Sequence, residues 1–523
     1  MTQEVYVAAV GLTKVDLTGR IFTSVFDLFA SAYQRALQDS QVRSFDAVQI
    51  GIMDSEEFEN RANIATKVAD RIGLTGIPAV RSETSSSTGA AAFHEAYYKI
   101  ASGEFESVLV LAGERMKVAT TIMSKTVDPV ERRFGFTMPG LIALITQAWM
   151  RERGIESDAV AQILARLMVR AHALGAENPL AAFHGKPEAL EAYFDPNANL
   201  PVASPLTRKD CSPICDGAAA VILSSRPQAV RVAGLGSATE TSSILDRGIL
   251  SGLEATRRAA KVAYWRAGIA NPRELAGLVV EAHDAFNSLL PIDLVDLDLV
   301  DPDDAIAALI GDQNAAPGDP LEHPVTGVAG RLPTNLSGGL KARGHPVGGT
   351  GLFQIAETFL QISGCFPNPR AQVRDARIGL CHSIGGPGNN VYVTLLEATD
   401  NRRTRSEVSP PQLHFESKEK RPHHSGPTSP TARAIVEAVT TIFVTAEGVP
   451  APVHVALLSI DGRRVFARMD HAPHQGDRPE EVLAGRQVDL LLKDDGDHYI
   501  QTPHSRGFDV GRIVDAIRRR VGR

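Results

Sequence analysis

Cysteine is scarce: Cys211, Cys215, Cys365 and Cys381 are the four in a chain of 523 residues. So few give no disulfide framework, and Cys211 with Cys215, lacking a second pair or histidines at ligand spacing, make no zinc site. Reduced thiols, a cytoplasmic location and no metal are expected. Long apolar runs are missing too. No stretch reaches the ~20 residues that span a bilayer, and residues 1–4 lack the basic and apolar regions of a signal peptide, so no membrane partner is expected. Nor is there a surplus of positive charge: 54 Lys and Arg stand against 61 Asp and Glu, a net −7 that disfavours nucleic acid. Ordinary apolar content with both charge signs interspersed leaves an enzyme-like globular chain, long enough for two to three domains.

What the chain does have is a glycine-dense turn around a histidine, Gly344-His345-Pro346-Val347-Gly348-Gly349-Thr350-Gly351. Its glycines and proline rule out a helix interior, and Leu352, Ile355, Ala356 and Phe359 then begin a helical apolar pattern. His345 is therefore expected on a rigid loop at a helix mouth. A similar device occurs earlier: Thr88-Gly89 and Thr350-Gly351 each open a helical stretch that closes on Ser-Gly, at Ser102-Gly103 and Ser363-Gly364. Phe93, Ala96, Tyr97 and Ile100 share one helical face, and the strand-like run 107–112 follows. Loop, buried helix and strand recur, which predicts a duplicated half-domain, with chance likeness of two buried helices as the alternative.

Several stretches in order carry a family resemblance: Leu111-Ala-Gly-Glu-Arg-Met116, Phe134-Gly-Phe-Thr-Met-Pro139, Asp210-Cys-Ser-Pro-Ile-Cys-Asp-Gly-Ala-Ala-Ala220, His283-Asp-Ala-Phe286, the Gly-His-Pro loop, and Cys381-His-Ser-Ile-Gly-Gly-Pro-Gly388. Across roughly residues 4–398 the chain resembles the thiolase superfamily, specifically the sterol-carrier-protein type and acetyl-CoA acetyltransferases. The resemblance implies an α/β fold, a duplicated layered αβαβα body with halves at 1–235 and 236–400. It further implies a coenzyme A thioester as substrate, no permanently bound cofactor, acyl-CoA as partner and a homo-oligomer. Ser86 falls where such thiolases place the nucleophilic cysteine. His345 falls on the base that activates the nucleophile, and His283, at a strand end, on the oxyanion-hole histidine. The residue two places after His283 is a second cysteine in many relatives and here is Ala285. Cys381 is the remaining candidate for acid/base work, with His382 as its rival for that position. Gly344, Gly348, Gly385 and Gly386 are expected to let backbone approach the substrate.

The serine changes the chemistry. A thiol of pKa about 8.5 ionises readily beside a histidine and a helix N-terminus, whereas a hydroxyl needs base assistance throughout its attack. The alternatives are that Ser85, Ser86 and Ser87 only cap the helix, leaving a non-catalytic acyl-CoA-binding protein, or that the fold runs an aldolase-like lyase reaction.

After Asp400 the pattern changes. Residues 401–432 are rich in Pro, Ser and charge with no apolar period, and read as a linker that is mobile or ordered on contact. From 433 to 523, short strand-like runs at 438–444, 454–460, 464–468 and 488–492, with an Asp461-Gly462 hairpin signal, predict a small all-β barrel similar to the OB-fold domains that accompany thiolases. Arg433 to Arg523 holds thirteen basic and thirteen acidic residues with few aromatics, so nucleic acid binding is not expected of it. Residues 510–520 read as a short amphipathic helix.

Overall fold

The computed structural model describes residues 3–118, 125–313, 315–401, 403, 405–415, 431–446, 448–460, 462–469, 483–492 and 498–501. The chain forms two compact units, one of residues 1–419 with 442–451 and one of 420–441 with 452–523.

In the first unit, nine strands hydrogen-bond in the order β3-β2-β4-β7-β1-β8-β11-β10-β9. They are β1 Tyr6–Leu12, β2 Ala47–Gly51, β3 Ala79–Ser82, β4 Ser107–Arg115, β7 Asp216–Ser224, β8 Val230–Thr239, β9 Leu278–Glu281, β10 Ile378–Gly385 and β11 Asn390–Ala398, with a small hairpin of β5 Pro201–Ala203 and β6 Leu206–Thr207 apart from them. The pairing repeats. β2 lies parallel to β4, which is antiparallel to β7, which is antiparallel to β1; likewise β9 lies parallel to β10, then β11 and β8 follow antiparallel. A parallel bridge from Val280 to Thr334 fills the place that β3 holds beside β2.

Helices repeat with the strands. Helix α1 (Val25–Asp39) follows β1 as α4 (Glu254–Ala267) follows β8, and α2 (Thr88–Ala101) precedes β4 as α5 (Thr350–Ile362) precedes β10. Strand alternation sorts the side chains: Leu109, Leu111, Ala220 and Ile222 join Leu28 and Phe29 of α1, while Val108, Val110, Val221 and Leu223 join Phe93 of α2 and Phe353 of α5. Both faces are thus covered, and α2 and α5 form the middle of the αβαβα layering. A third helix, α3 (Met138–Glu152), is considered with the site below.

The repeated Thr-Gly pairs have a packing reason. A Cβ on Gly89 would sit 2.8 Å from the Leu352 nitrogen, and one on Gly351 would sit 2.5 Å from the Ala90 nitrogen. Only glycine lets the two central helices approach this closely at their N-termini.

The second unit contains a closed five-stranded barrel. Its strands, β12 Thr431–Ile442, β13 Val453–Ile460, β14 Arg463–Met469, β15 Gln487–Leu492 and β16 His498–Gln501, run β13-β14-β16-β15-β12 and close through β12 on β13. Antiparallel β13 and β14 with a parallel β14–β16 contact give the order first, second, third, fifth, fourth, the Greek-key closure of an OB-fold. Ala456, Leu458 and Ile460 point inward at period two, with Val436, Val439 and Ala467. Ile460 pairs with Arg463, so the connection has two residues; Gly462 takes φ +74°, and Asp461 lies outside the described residues. The first strand starts at Thr431, earlier than its apolar pattern suggests, and ends at Ile442. The expected helix at 510–520 lies outside the described residues, as do His423 and His424. In the expected linker, extended chain is tied to the body at Ser406, whose N–H donates to Gly268 O at 3.0 Å, and at Arg403, which binds Glu397 and Ala267 O.

Candidate active site

Three loops from distant parts of the sequence line one cavity of about 100 Å³. Ser86 comes from the turn between β3 and α2, His283 from just beyond β9, and His345 from the turn before α5. Met116, Met138, Ile142, Phe286, Val347 and Ile384 are among the apolar residues of the remaining wall, and among the described residues no charged side chain lines it. All three site residues are buried.

The Ser86 turn is built by its neighbours. Ser85 adopts φ +58°, a left-handed conformation that favours glycine, held by its N–H donating to Glu83 Oε1 at 2.6 Å. The Thr84 N–H donates to Thr88 Oγ1 at 2.9 Å, the Thr88 hydroxyl donates to Ser85 O at 2.6 Å, and the Ser87 hydroxyl donates to Thr84 O at 2.8 Å. Ser87 stands at the helix N-cap but its side chain makes no capping bond. Among the described residues the Ser86 hydroxyl has no hydrogen-bond partner, while it borders the cavity just ahead of a helix N-terminus. A capping role therefore does not account for it.

His345 is fixed by Thr350. The Thr350 hydroxyl donates to Pro346 O at 3.0 Å, which spends its only hydrogen, so its oxygen accepts from His345 Nδ1–H across 2.6 Å. That leaves Nε2 without a proton. Burial, and then the positive charge of Arg343, push the His345 pKa down to about 3, so the ring is a neutral acceptor. The His345 N–H reaches Cys215 Sγ at 3.1 Å, and Gly348 N–H donates to the buried Glu114 at 3.1 Å, which anchors the loop at both ends.

His283 carries the opposite tautomer. Its Nδ1 accepts the Ile384 N–H at 3.2 Å, which places the proton on Nε2 as a donor. Burial chiefly, then the neighbouring histidines and Arg343, hold its pKa well below the usual histidine range. Asn335 shapes the strand end before it, accepting the Ala282 N–H at 2.7 Å and donating to Ala282 O at 3.1 Å. The rings of His283 and His345 meet edge to face with centroids 5.2 Å apart.

Cys381 does not join them. Its side chain lies in the core with Leu396 and Val110, its Sγ is 3.0 Å from Thr358 Oγ1, and burial raises its pKa far above the thiol range. The expected proton shuttle at Cys381 is therefore corrected: the thiol faces the central helix and stays protonated. His382 does not line the cavity either: it is fully buried with Nε2 3.0 Å from Thr256 Oγ1. Of the expected substrate glycines only Gly386 lines the cavity. Gly344, at φ +113°, would press a Cβ against Val15, a Cβ on Gly348 would meet Glu114 Oε2 at 2.3 Å, and one on Gly385 would meet Thr84 O at 2.3 Å. These three make room for the turns that carry His345 and Ser86.

Thr350, Asn335 and the methionines of the wall were not singled out from sequence. Thr350 had a usable signal, since it opens the repeated Thr-Gly pair. Among the described residues, no group of three or more His, Cys, Asp or Glu side chains could hold a metal ion, and no helix is long and apolar enough to cross a membrane.

Known proteins match along the same residues. Residues 5–173 match the family model for the thiolase N-terminal domain, and residues 236–398 that for the thiolase C-terminal domain-like family. An acetyl-CoA acetyltransferase from Methanothermobacter thermautotrophicus is 32% identical over 402 residues, covering 74% of this chain and 98% of that protein. Human sterol carrier protein 2 is 28% identical, covering 75% of this chain and 72% of that protein. In structure, a monomeric SCP2-thiolase-like protein type 1 from Mycobacterium smegmatis aligns with TM-score 0.67 at 16% identity, over 96% of this chain and all of that one (100%). An Ltp2-ChsH2(DUF35) aldolase aligns with TM-score 0.61 at 20% identity, over 76% of this chain and 99% of that one. With both halves of the body matched and a relative of this identity covered almost end to end, the chain belongs to the thiolase family.

Proposed function

We propose that this protein makes or breaks a carbon–carbon bond next to the carbonyl of a coenzyme A thioester, with Ser86 as acyl acceptor, His345 as base and His283 as oxyanion donor. The observation that carries the reading is the hydrogen bonding of the two histidines, Ile384 N–H on His283 Nδ1 and Thr350 Oγ1 against His345 Nδ1, which assigns an Nε2–H to His283 and a bare Nε2 to His345, beside an unpartnered Ser86 hydroxyl. Ser86 Oγ attacks the thioester carbonyl as its proton passes to His345 Nε2. The oxyanion is held by His283 Nε2–H. Collapse expels the coenzyme A thiolate, which takes the proton from His345 and leaves an oxyester on Ser86. A second acyl-CoA then gives the proton next to its carbonyl to the again neutral His345 and its carbon attacks the ester; the Ser86–acyl bond breaks and the leaving serine oxygen takes that proton from His345. The uncharged, mostly apolar wall suits a short acyl group without charge.

The oxyester is less reactive than a thioester, which favours keeping a second reading. In it, Ser86 only donates a hydrogen bond and His345 drives a lyase-type cleavage without a covalent intermediate, as the name of the aldolase neighbour suggests for that protein. Intact mass of the denatured protein after incubation with short acyl-CoAs separates the two. An added acyl mass supports the serine route; cleavage activity with no added mass supports the lyase. The homo-oligomer expected from the resemblance is part of this reading, and sedimentation equilibrium tests it.

A further inference from the structure

Residues 442–451 belong to the body although Ile442 is the last residue of the first barrel strand. They are tied down along a short path. Ile442 pairs with Ala203 of β5, and the Phe443 N–H donates to Val202 O at 2.9 Å. The Thr137 hydroxyl donates to Val444 O at 3.0 Å, and the Ala446 N–H donates to Gly135 O at 3.1 Å. The last two bonds grip the segment that enters α3, whose first turns give Met138, Pro139 and Ile142 to the cavity. Gly140 lies on the gripped turn: a Cβ there would come within 2.9 Å of the Phe136 ring and 3.4 Å of Ile442 Cδ1. Ile442 itself is fully buried.

The first turn of a helix has backbone N–H groups without partners inside the helix and frays unless something outside holds it. Here the wall of the cavity is such a turn, and the residues that lead into it, Gly135 and Thr137, are hydrogen-bonded to a segment beyond residue 398, outside both thiolase-matching regions. Resting on the acyl-CoA reading above, we infer that Ile442 and the Thr137–Val444 bond position this wall and so set the length of acyl group the site accepts. Shaving Ile442 lets α3 retreat at Gly140 and deepens the cavity. Neither group touches the reacting atoms.

The test is isothermal titration of the full chain with acetyl-, butanoyl-, hexanoyl- and octanoyl-CoA. Ile442→Ala is expected to raise the octanoyl-to-acetyl affinity ratio by about tenfold, the lower end of what fit to a methylene is worth, and Ile442→Leu to restore the original ratio. Thr137→Val, which removes only the hydroxyl, shifts the ratio the same way and decides the matter where Ile442→Ala does not fold. An unchanged ratio in the folded variant, or an equal loss at every chain length, overturns the inference. Failure of the unmodified protein to bind any acyl-CoA has a different meaning: it removes the functional reading beneath it.

Discussion

His283 and His345 stand edge to face, 5.2 Å between ring centroids, with Nδ1 hydrogen bonds that assign opposite protonation states to their distal nitrogens. One hydrogen bond fixes each: the Ile384 amide gives to His283 Nδ1, and His345 Nδ1 gives to Thr350. A donor and an acceptor thereby face one cavity without any change of pH.

Ser86→Ala is expected to abolish both acyl labelling and turnover. Ser86→Cys keeps or raises activity, since a thiol on the same turn ionises more easily beside His345 and forms a more reactive acyl-enzyme. Peptide mapping of the labelled protein checks the position, and label on a residue other than Ser86 would falsify the assignment.

His283→Ala is expected to lower kcat by about 10²–10³, the usual cost of losing one oxyanion donor. Because the donor acts on charge that develops in the transition state, acyl-CoA affinity changes little. Steady-state kinetics with a separate binding titration distinguishes this from a collapsed cavity, in which both fall together.

Thr350→Val keeps the shape of the side chain but leaves His345 Nδ1 without its acceptor, freeing the ring to take the wrong tautomer. A loss of at least about tenfold in kcat is expected with KM nearly unchanged, and Thr350→Ser should recover most of it. If serine rescues nothing, Thr350 matters for packing and not for the proton.

The pH dependence follows from burial. Since His345 titrates at about 3, kcat/KM should stay level from about pH 8 to 5, with no acid limb near the ordinary histidine value of 6.5. The same shift bears on stability: below about 6.5 the unfolded chain binds a proton that native His345 refuses, so this contribution is present above that pH and is lost as pH falls toward 3. Glu114 works in reverse. Burial, opposed by the backbone N–H groups of Met53, Asp54 and Gly348, raises its pKa to about 8, so its contribution is lost as pH rises toward 8. A kcat/KM profile with a midpoint near 6.5 contradicts the placement of His345.

Gly351→Ala should destabilise the body by about 1–3 kcal/mol, because the added methyl meets backbone of the other central helix. Denaturant midpoints at fixed m-value report it. An unaffected midpoint means that the two helices part without cost.

Much of this was legible in the sequence because it is written in local patterns. The Thr-Gly pairs marked two equivalent helices, glycine density placed His345 on a turn, and period-two runs after residue 433 gave the barrel, since backbone freedom and apolar spacing act within a few residues. What lies across the sequence was decided by tertiary structure. Cys381 sits in a strand buried on both faces, so its sequence carries no phase to tell which way the thiol points, and only packing against Thr358 turned it from the cavity. The tautomers of His283 and His345 depend on hydrogen-bond geometry, to an amide 101 residues away in one case and to a hydroxyl whose own proton is committed to Pro346 in the other. Ile442 reads as one more apolar residue of a barrel strand; that it pairs with Ala203 and braces the cavity wall exists only once distant segments have met.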